Sequence, residues 1–220
     1  MNRCIPISEQ IKKSKEQYQK KLLESSYMNK IRALVRLQEK VSFFQEYHKF
    51  SESFSMSNII DILDDLQKND LIDEYVLGGA TALLYYSTPH LTEDIDVFIS
   101  VQHKGIIINL SPIYSFLKKK YKAKEYKETL LLDDNPVQFL VPMDGLTEEA
   151  FKKYNEIKIG SKKLKIFSLE YLIAIMLHLG KSKYKERLRV VKEENKYDSV
   201  VLNKILKKYN LESKWIGIGE

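Results

Sequence analysis

An α+β fold is the class this sequence predicts, and three observations point to it. Residues 11–45 hold no Gly and no Pro and place apolar residues near helical spacing. Residues 95–101 alternate apolar and polar side chains, as a half-buried strand does. Residues 169–179 form an apolar run framed by Ser168 and Gly180, a helix with its start and stop signals. Helices are therefore expected at both ends of the chain, with strands between them.

In the first region, Leu34, Val35, Leu37 and Val41 belong to a stripe over residues 28–44, while residues 11–21 are mostly polar and should project. The stripe should pack on the body or on a second copy, which makes a homodimer through these helices a candidate arrangement. Ser57 precedes a short helix over 58–66 that ends at Asn69-Asp70. The period then changes. Tyr75-Val76-Leu77 reads as a strand entering a tight turn at Gly78-Gly79, residues 80–86 as a helix, and 87–93, with Pro89, as a loop. After the 95–101 strand, Ser111 and Pro112 open a helix to Tyr121, with Ser111 as N-cap.

Residues 128–132 and 137–141 are two further strands, joined by a turn at Asp133-Asp134-Asn135-Pro136. Residues 147–154 form a helix capped by Thr147, and 156–166 a hairpin about Gly160-Ser161. Two basic helices, 183–194 and 199–209, follow the apolar one. The division drawn is a helical extension over 1–70, a core over 71–167 and a basic helical region over 168–220.

Composition narrows the class. A chain of 220 residues with 44% hydrophobic and 30% charged residues can bury a sizeable core and is not disordered. No apolar run is long enough to span a bilayer, so no membrane partner is expected. The first eight residues lack the apolar stretch of a secretory signal, and the single Cys4 excludes an internal disulfide framework and a cysteine-rich zinc site. A reducing cytoplasm is the expected location.

The net charge of +6 is unevenly spread. Residues 71–150 carry 7 Lys/Arg against 12 Asp/Glu, a net of −5; residues 151–220 carry 17 against 8, a net of +9. An acidic middle beside a basic last third suits a cation in one place and a polyanion in the other; solvated helix faces would explain the basic third equally.

The stretch that carries chemistry is Gly78-Gly79-Ala80, then Asp94-Ile95-Asp96. A strand that turns through glycines into a helix offers backbone N–H groups and a helix dipole to an anion, with no side chain to hold phosphate away. Asp94 and Asp96, two apart on a strand, project from one face. Two carboxylates on one face suit Mg²⁺ or Mn²⁺, which is held by one or two carboxylates plus substrate phosphates. Either part alone has a plainer reading, a turn or a solvated strand edge. Their order along the chain is the specific signal, and it points to metal-assisted phosphoryl transfer.

Residues 75–100, with Gly-Gly-Ala-Thr-Ala and Thr-Glu-Asp-Ile-Asp-Val-Phe-Ile, resemble the minimal nucleotidyltransferases of the polymerase-beta superfamily. Within it the chain is similar to abortive-infection toxin-type (AbiEii-like) nucleotidyltransferases. The resemblance continues through Asn135-Pro-Val-Gln-Phe-Leu and Ser168-Leu-Glu-Tyr-Leu-Ile-Ala and spans about residues 73–191. It implies a short mixed β-sheet flanked by helices, with a C-terminal helical part closing over the nucleotide. It implies that Gly78 and Gly79 hold the triphosphate, that Asp94 and Asp96 bind the metal, and that Lys183 reaches phosphate. The implied reaction moves a nucleoside monophosphate from a nucleoside triphosphate to a hydroxyl of RNA or protein. A role in a toxin–antitoxin pair, with an antitoxin as partner, is implied with it.

Three positions depart from the family. Gln138 stands where active relatives carry a third carboxylate, His90 where they often place an arginine, and Tyr184 where many have an aspartate. Gln138 should share a face with Pro136 and Leu140, and its amide cannot serve as a general base near neutral pH. Glu128 and Asp144 are candidate substitutes for the missing carboxylate. A catalytically weak or inactive binding protein on the same fold is therefore the second reading, and a basic RNA-binding protein without a nucleotide site the third. His48, His103 and His178 lack ligand spacing, and Trp215 is expected to pack the last helix.

Overall fold

A computed structural model describes residues 56–87, 94–101, 108–132 and 135–219, all within one compact unit, Ser51–Glu220. The helix expected over 28–44 lies outside these residues, as do Cys4, His48, His90 and His103. The fold is α+β, a seven-stranded mixed sheet flanked by helices. In chain order the elements are α1 (Met56–Lys68), β1 (Glu74–Leu77), α2 (Gly79–Leu83), β2 (Ile95–Ser100), α3 (Ser111–Tyr121), β3 (Lys124–Tyr126), β4 (Thr129–Leu132) and β5 (Asn135–Leu140). They continue with α4 (Gly145–Lys152), β6 (Tyr154–Ile159), β7 (Lys162–Phe167), α5 (Leu169–Leu179), α6 (Ser182–Glu194), α7 (Ser199–Lys208) and α8 (Glu212–Ile216). Among the described residues no helix is long and apolar enough to cross a membrane.

The sheet order is β3-β4-β5-β2-β1-β7-β6. The β2–β5 and β1–β7 pairs are parallel and the others antiparallel. β2 is the hinge of the site, and its alternation has a simple cause: Ile95, Val97 and Ile99 go into the core while Asp96, Phe98 and Ser100 stay half-buried on the other face. β5 repeats the pattern, with Val137 and Phe139 buried and Pro136, Gln138 and Leu140 half-buried. α1 and α5, which the sequence assigns to the flanking regions, bury their apolar faces in this same core; Ile59, Leu63, Leu66, Leu172 and Ile173 are almost wholly inaccessible.

Several boundaries differ from expectation for local reasons. α4 begins at Gly145 because Asp144 is its N-cap; the Asp144 carboxylate accepts from Thr147 N at 2.8 Å, and Thr147 closes the capping box from the third helical position. Tyr154, expected at the end of that helix, opens β6. Asn109 Oδ1 accepts from Ser111 N at 3.0 Å, so Ser111 sits inside α3 rather than capping it. Asn135 and Pro136 already belong to β5; a proline is tolerated there because the β2–β5 register begins only at Val137. Ser168 has the N-cap backbone, but its hydroxyl donates to Glu170 (2.9 Å), whose other oxygen accepts from Asp198 N (2.9 Å) and ties α5 to the start of α7. Gly180 ends α5 in the left-handed region (φ 61°).

Candidate active site

The turn from β1 into α2 is built around two close approaches. Gly78 N donates to Asp96 O at 2.9 Å, which extends the β1–β2 ladder by one residue. The sequence offers this N–H to a phosphate; the sheet takes it instead. By helix geometry the first-turn donors that α2 does not use internally are those that follow, from Gly79 on. A Cβ on Gly78 would lie 2.5 Å from the Phe98 ring, and one on Gly79 would lie 1.7 Å from Asp96 Oδ2. Gly79 also has φ +56°, a conformation that side-chain-bearing residues rarely adopt. The pair is thus the footprint of two β2 side chains. Phe98 lies over Gly78 and against Phe167 (centroids 4.7 Å apart), and the Asp96 carboxylate sinks against Gly79.

Asp94 precedes β2 rather than belonging to it, and Thr81 of α2 holds its carbonyl at 3.3 Å. Burial pushes the Asp96 carboxyl up to about 6, and the nearby Asp94 charge adds to the effect. Lys183, Arg187 and Lys181 pull the other way without cancelling it. These cations place the first turns of α6 opposite the Asp pair. Tyr184 lies among them. Its phenol is raised by burial and then by the Asp96 and Asp94 charges, and its ring is flanked by Lys183 Nζ at 5.6 Å and the Arg187 guanidinium at 5.9 Å.

Gln138 is the direct neighbour of Asp96 across the parallel β2–β5 pair, on the same half-buried face. Its amide can accept or donate a hydrogen bond but carries no charge. Of its candidate substitutes, Asp144 is engaged as the cap of α4, and Glu128 lies exposed in the β3–β4 turn, outside the strand expected to carry it. Sequence reasoning missed Arg187 and Lys181. Arg187 was legible, since it stands four residues after Lys183 and so on the same helix face.

Among the described residues, no group of three or more His, Cys, Asp or Glu side chains converges to hold a metal. Asp94 and Asp96 therefore make a two-carboxylate set. That set fits Mg²⁺ or Mn²⁺, which would take its other ligands from water or phosphate oxygens, and does not fit structural zinc. A desolvated carboxyl raised by a second one is the arrangement that a divalent cation relieves. Neither of two surface clefts, of about 640 Å³ and 460 Å³, is lined by Asp94 or Asp96.

No family profile matches the chain, and no curated protein sequence does. Among solved structures it is similar to an antigenic nucleotidyltransferase-like protein from Paracoccidioides brasiliensis, at 16% identity and a TM-score of 0.40. The match covers 55% of this chain and 63% of that one. The residues described above, not this partial likeness, carry the functional reading.

Proposed function

We propose that the chain is a metal-dependent nucleotidyltransferase that moves a nucleoside monophosphate from a nucleoside triphosphate to a hydroxyl of RNA or protein. The observation that carries the reading is the Asp96 carboxylate, seated against Gly79 beside Asp94 and faced by Lys183 and Arg187 of α6. A triphosphate is the substrate that answers both sides at once. Its oxygens suit the α6 cations, with Arg187 as a fork and Lys183 as a point charge. The first-turn donors of α2, which begin at Gly79 against the Asp96 carboxylate, would share in holding the triphosphate. Asp94 and Asp96 would hold Mg²⁺ or Mn²⁺, which when bound offsets the charge of the transferred group and of the leaving pyrophosphate. Both cations also lie near the Tyr184 ring, Lys183 Nζ at 5.6 Å and the Arg187 guanidinium at 5.9 Å from its centroid. The abortive-infection toxin type, with an antitoxin partner and dimerising N-terminal helices, is the finer form of this proposal.

One observation favours a second reading. Gln138 occupies the register position beside Asp96 where a third carboxylate would complete the metal site or accept the acceptor's proton. A protein that binds nucleotide without turning it over would look the same elsewhere. Pyrophosphate release, measured with Mn²⁺, the four ribonucleoside triphosphates and RNA or protein acceptors, separates the two. Release that Asp96→Asn abolishes supports transfer. Tight, metal-dependent triphosphate binding with no release across the acceptors supports the binding protein.

A further inference from the structure

Between the end of α5, α6 and α8 with the turn after it lies a cleft of about 640 Å³ that shares Lys181 and Tyr184 with the Asp-facing turns of α6 but is not lined by Asp94 or Asp96. Its floor is apolar: Met176, Leu177 and Leu188 are buried, and Ile218 is half-buried. Two large apolar residues stand exposed beside it. Leu179, next to the lining Gly180, is 50% exposed, and Ile216, next to the lining Gly217, is 66% exposed. The rim is cationic, with Lys181, Lys185 and Lys214. Among the described residues the only carboxylate of the lining is Glu186, and Arg189 engages it at 2.6 Å. Lys214 is anchored through Leu177 O at 3.2 Å, which fixes its position but leaves its charge unanswered. Lys185 makes no ion pair among the described residues.

We infer that this cleft docks a protein partner through an acidic amphipathic segment, with apolar side chains on the floor and carboxylates toward the three lysines. The chemistry selects that occupant. An uncharged apolar segment would leave the lysine rim unmatched, and a basic one would be repelled by it. A nucleic acid would satisfy the lysines but not the floor, because among the described residues the only aromatic ring in the lining is Tyr184, already flanked by Lys183 and Arg187. Base stacking needs an open aromatic face. Leu179 and Ile216, each one residue from a lining glycine, are exposed apolar side chains that an amphipathic segment seated in the cleft would cover. Methionine at the floor adapts to differently shaped side chains.

The inference does not rest on the nucleotidyltransferase reading, although the cleft shares Lys181 and Tyr184 with that site, and its test uses neither nucleotide nor divalent metal. A random 16-residue phage-displayed peptide library is selected on the full chain. Enriched peptides should be acidic, with apolar residues three and four apart. Their affinity, read by fluorescence anisotropy, should fall with added salt and weaken about tenfold or more in Lys185→Glu/Ile216→Asp. Both changes are at exposed positions, so the fold should hold, and an unchanged circular dichroism melt checks this. Asp96→Asn should bind the peptides as the wild type does. The inference is overturned if no peptides enrich, if the enriched ones lack acidic residues, or if they bind the double variant equally. It is also overturned if single-stranded oligouridylate binds with the peptides' sensitivity to the double variant, which would make the cleft a nucleic-acid site.

Discussion

Glu149 and Asp96 are both carboxylates under lysines, yet their surroundings drive them in opposite directions. Glu149 of α4 accepts from Lys208 (2.7 Å), Tyr209 (2.5 Å) and Lys153 (2.9 Å), and these bonds bring its carboxyl down to about 2. Asp96 is approached by Lys183, Arg187 and Lys181 only as charges, is buried against Gly79, has Asp94 beside it, and is pushed up to about 6. The difference teaches that proximity of a cation does not settle a buried carboxylate; direct donors do. Glu149 is complete as folded and ties α7 to α4. Asp96 is left desolvated beside a like charge, an arrangement that a divalent cation would relieve.

The largest expected effect breaks the Asp96 side of this comparison. Gly79→Ala should cost about 2–4 kcal/mol in urea unfolding, because it adds strain at positive φ to a collision with the carboxylate. Gly160→Ala is the control: Gly160 has φ +60° but nothing within 4 Å of its added Cβ, so only the strain remains. If the two cost the same, Asp96 does not occupy the space against Gly79.

Next in size is Glu149→Gln, expected to lose about 1–2 kcal/mol at pH 7, where the native charge-assisted hydrogen bonds are intact. A depressed native pKa means that this stability is present above the unfolded value of about 4.3 and is lost as pH falls through about 2. Wild type and variant should therefore converge in acid. A gap that stays constant from pH 7 to pH 2 would show that packing, not charge, is what Glu149 supplies.

Asp96→Asn should act with the opposite sign. A raised native pKa means the folded state binds the proton more tightly than the unfolded one, so the contribution of Asp96 to stability falls as pH rises from about 4 to about 6 and stays low above that. Without metal, the variant should melt about 2–4 °C higher than wild type at pH 8 and no higher at pH 4. Added Mg²⁺ at pH 8 should raise the wild-type melting temperature and leave the variant unmoved. The smallest effect is expected from Gln138→Asp, which should tighten Mn²⁺ binding several-fold by adding a charge in register with Asp96. Unchanged Mn²⁺ affinity would mean that the two side chains do not meet a common ion.

The parts legible in the sequence are those where local pattern and tertiary burial agree. β2, β5, the Gly160 hairpin and α5 announce themselves through alternation, a turn glycine or an apolar run with stop signals. β3 gave no such signal, because Lys124, Glu125 and Tyr126 are all exposed on the sheet edge and need no alternation. The cap Asp144 was missed because a neighbouring Thr fits the same role by composition, and only the hydrogen bonds choose between them; Ser111 likewise fits by composition a cap position that Leu110 holds. At the site, sequence supplied Gly78, Gly79, Asp94, Asp96, Gln138 and Lys183 as candidates. It could not show that the glycines are shaped by Phe98 and Asp96, since that contact depends on the β1–β2 register. Nor could it bring Arg187 and Tyr184 over the Asp pair, an encounter that depends on how α6 folds back from α5.

The central claim, that Asp94 and Asp96 hold a divalent cation and a triphosphate beneath α6, is tested most directly by calorimetric titration of nucleoside triphosphates. Wild type, Asp96→Asn and Arg187→Ala are each titrated with and without Mn²⁺. The account predicts wild-type binding that requires Mn²⁺, is lost in Asp96→Asn, and is weakened but still metal-dependent in Arg187→Ala. Equal affinity in wild type and Asp96→Asn, or no binding in any of the three, would contradict it.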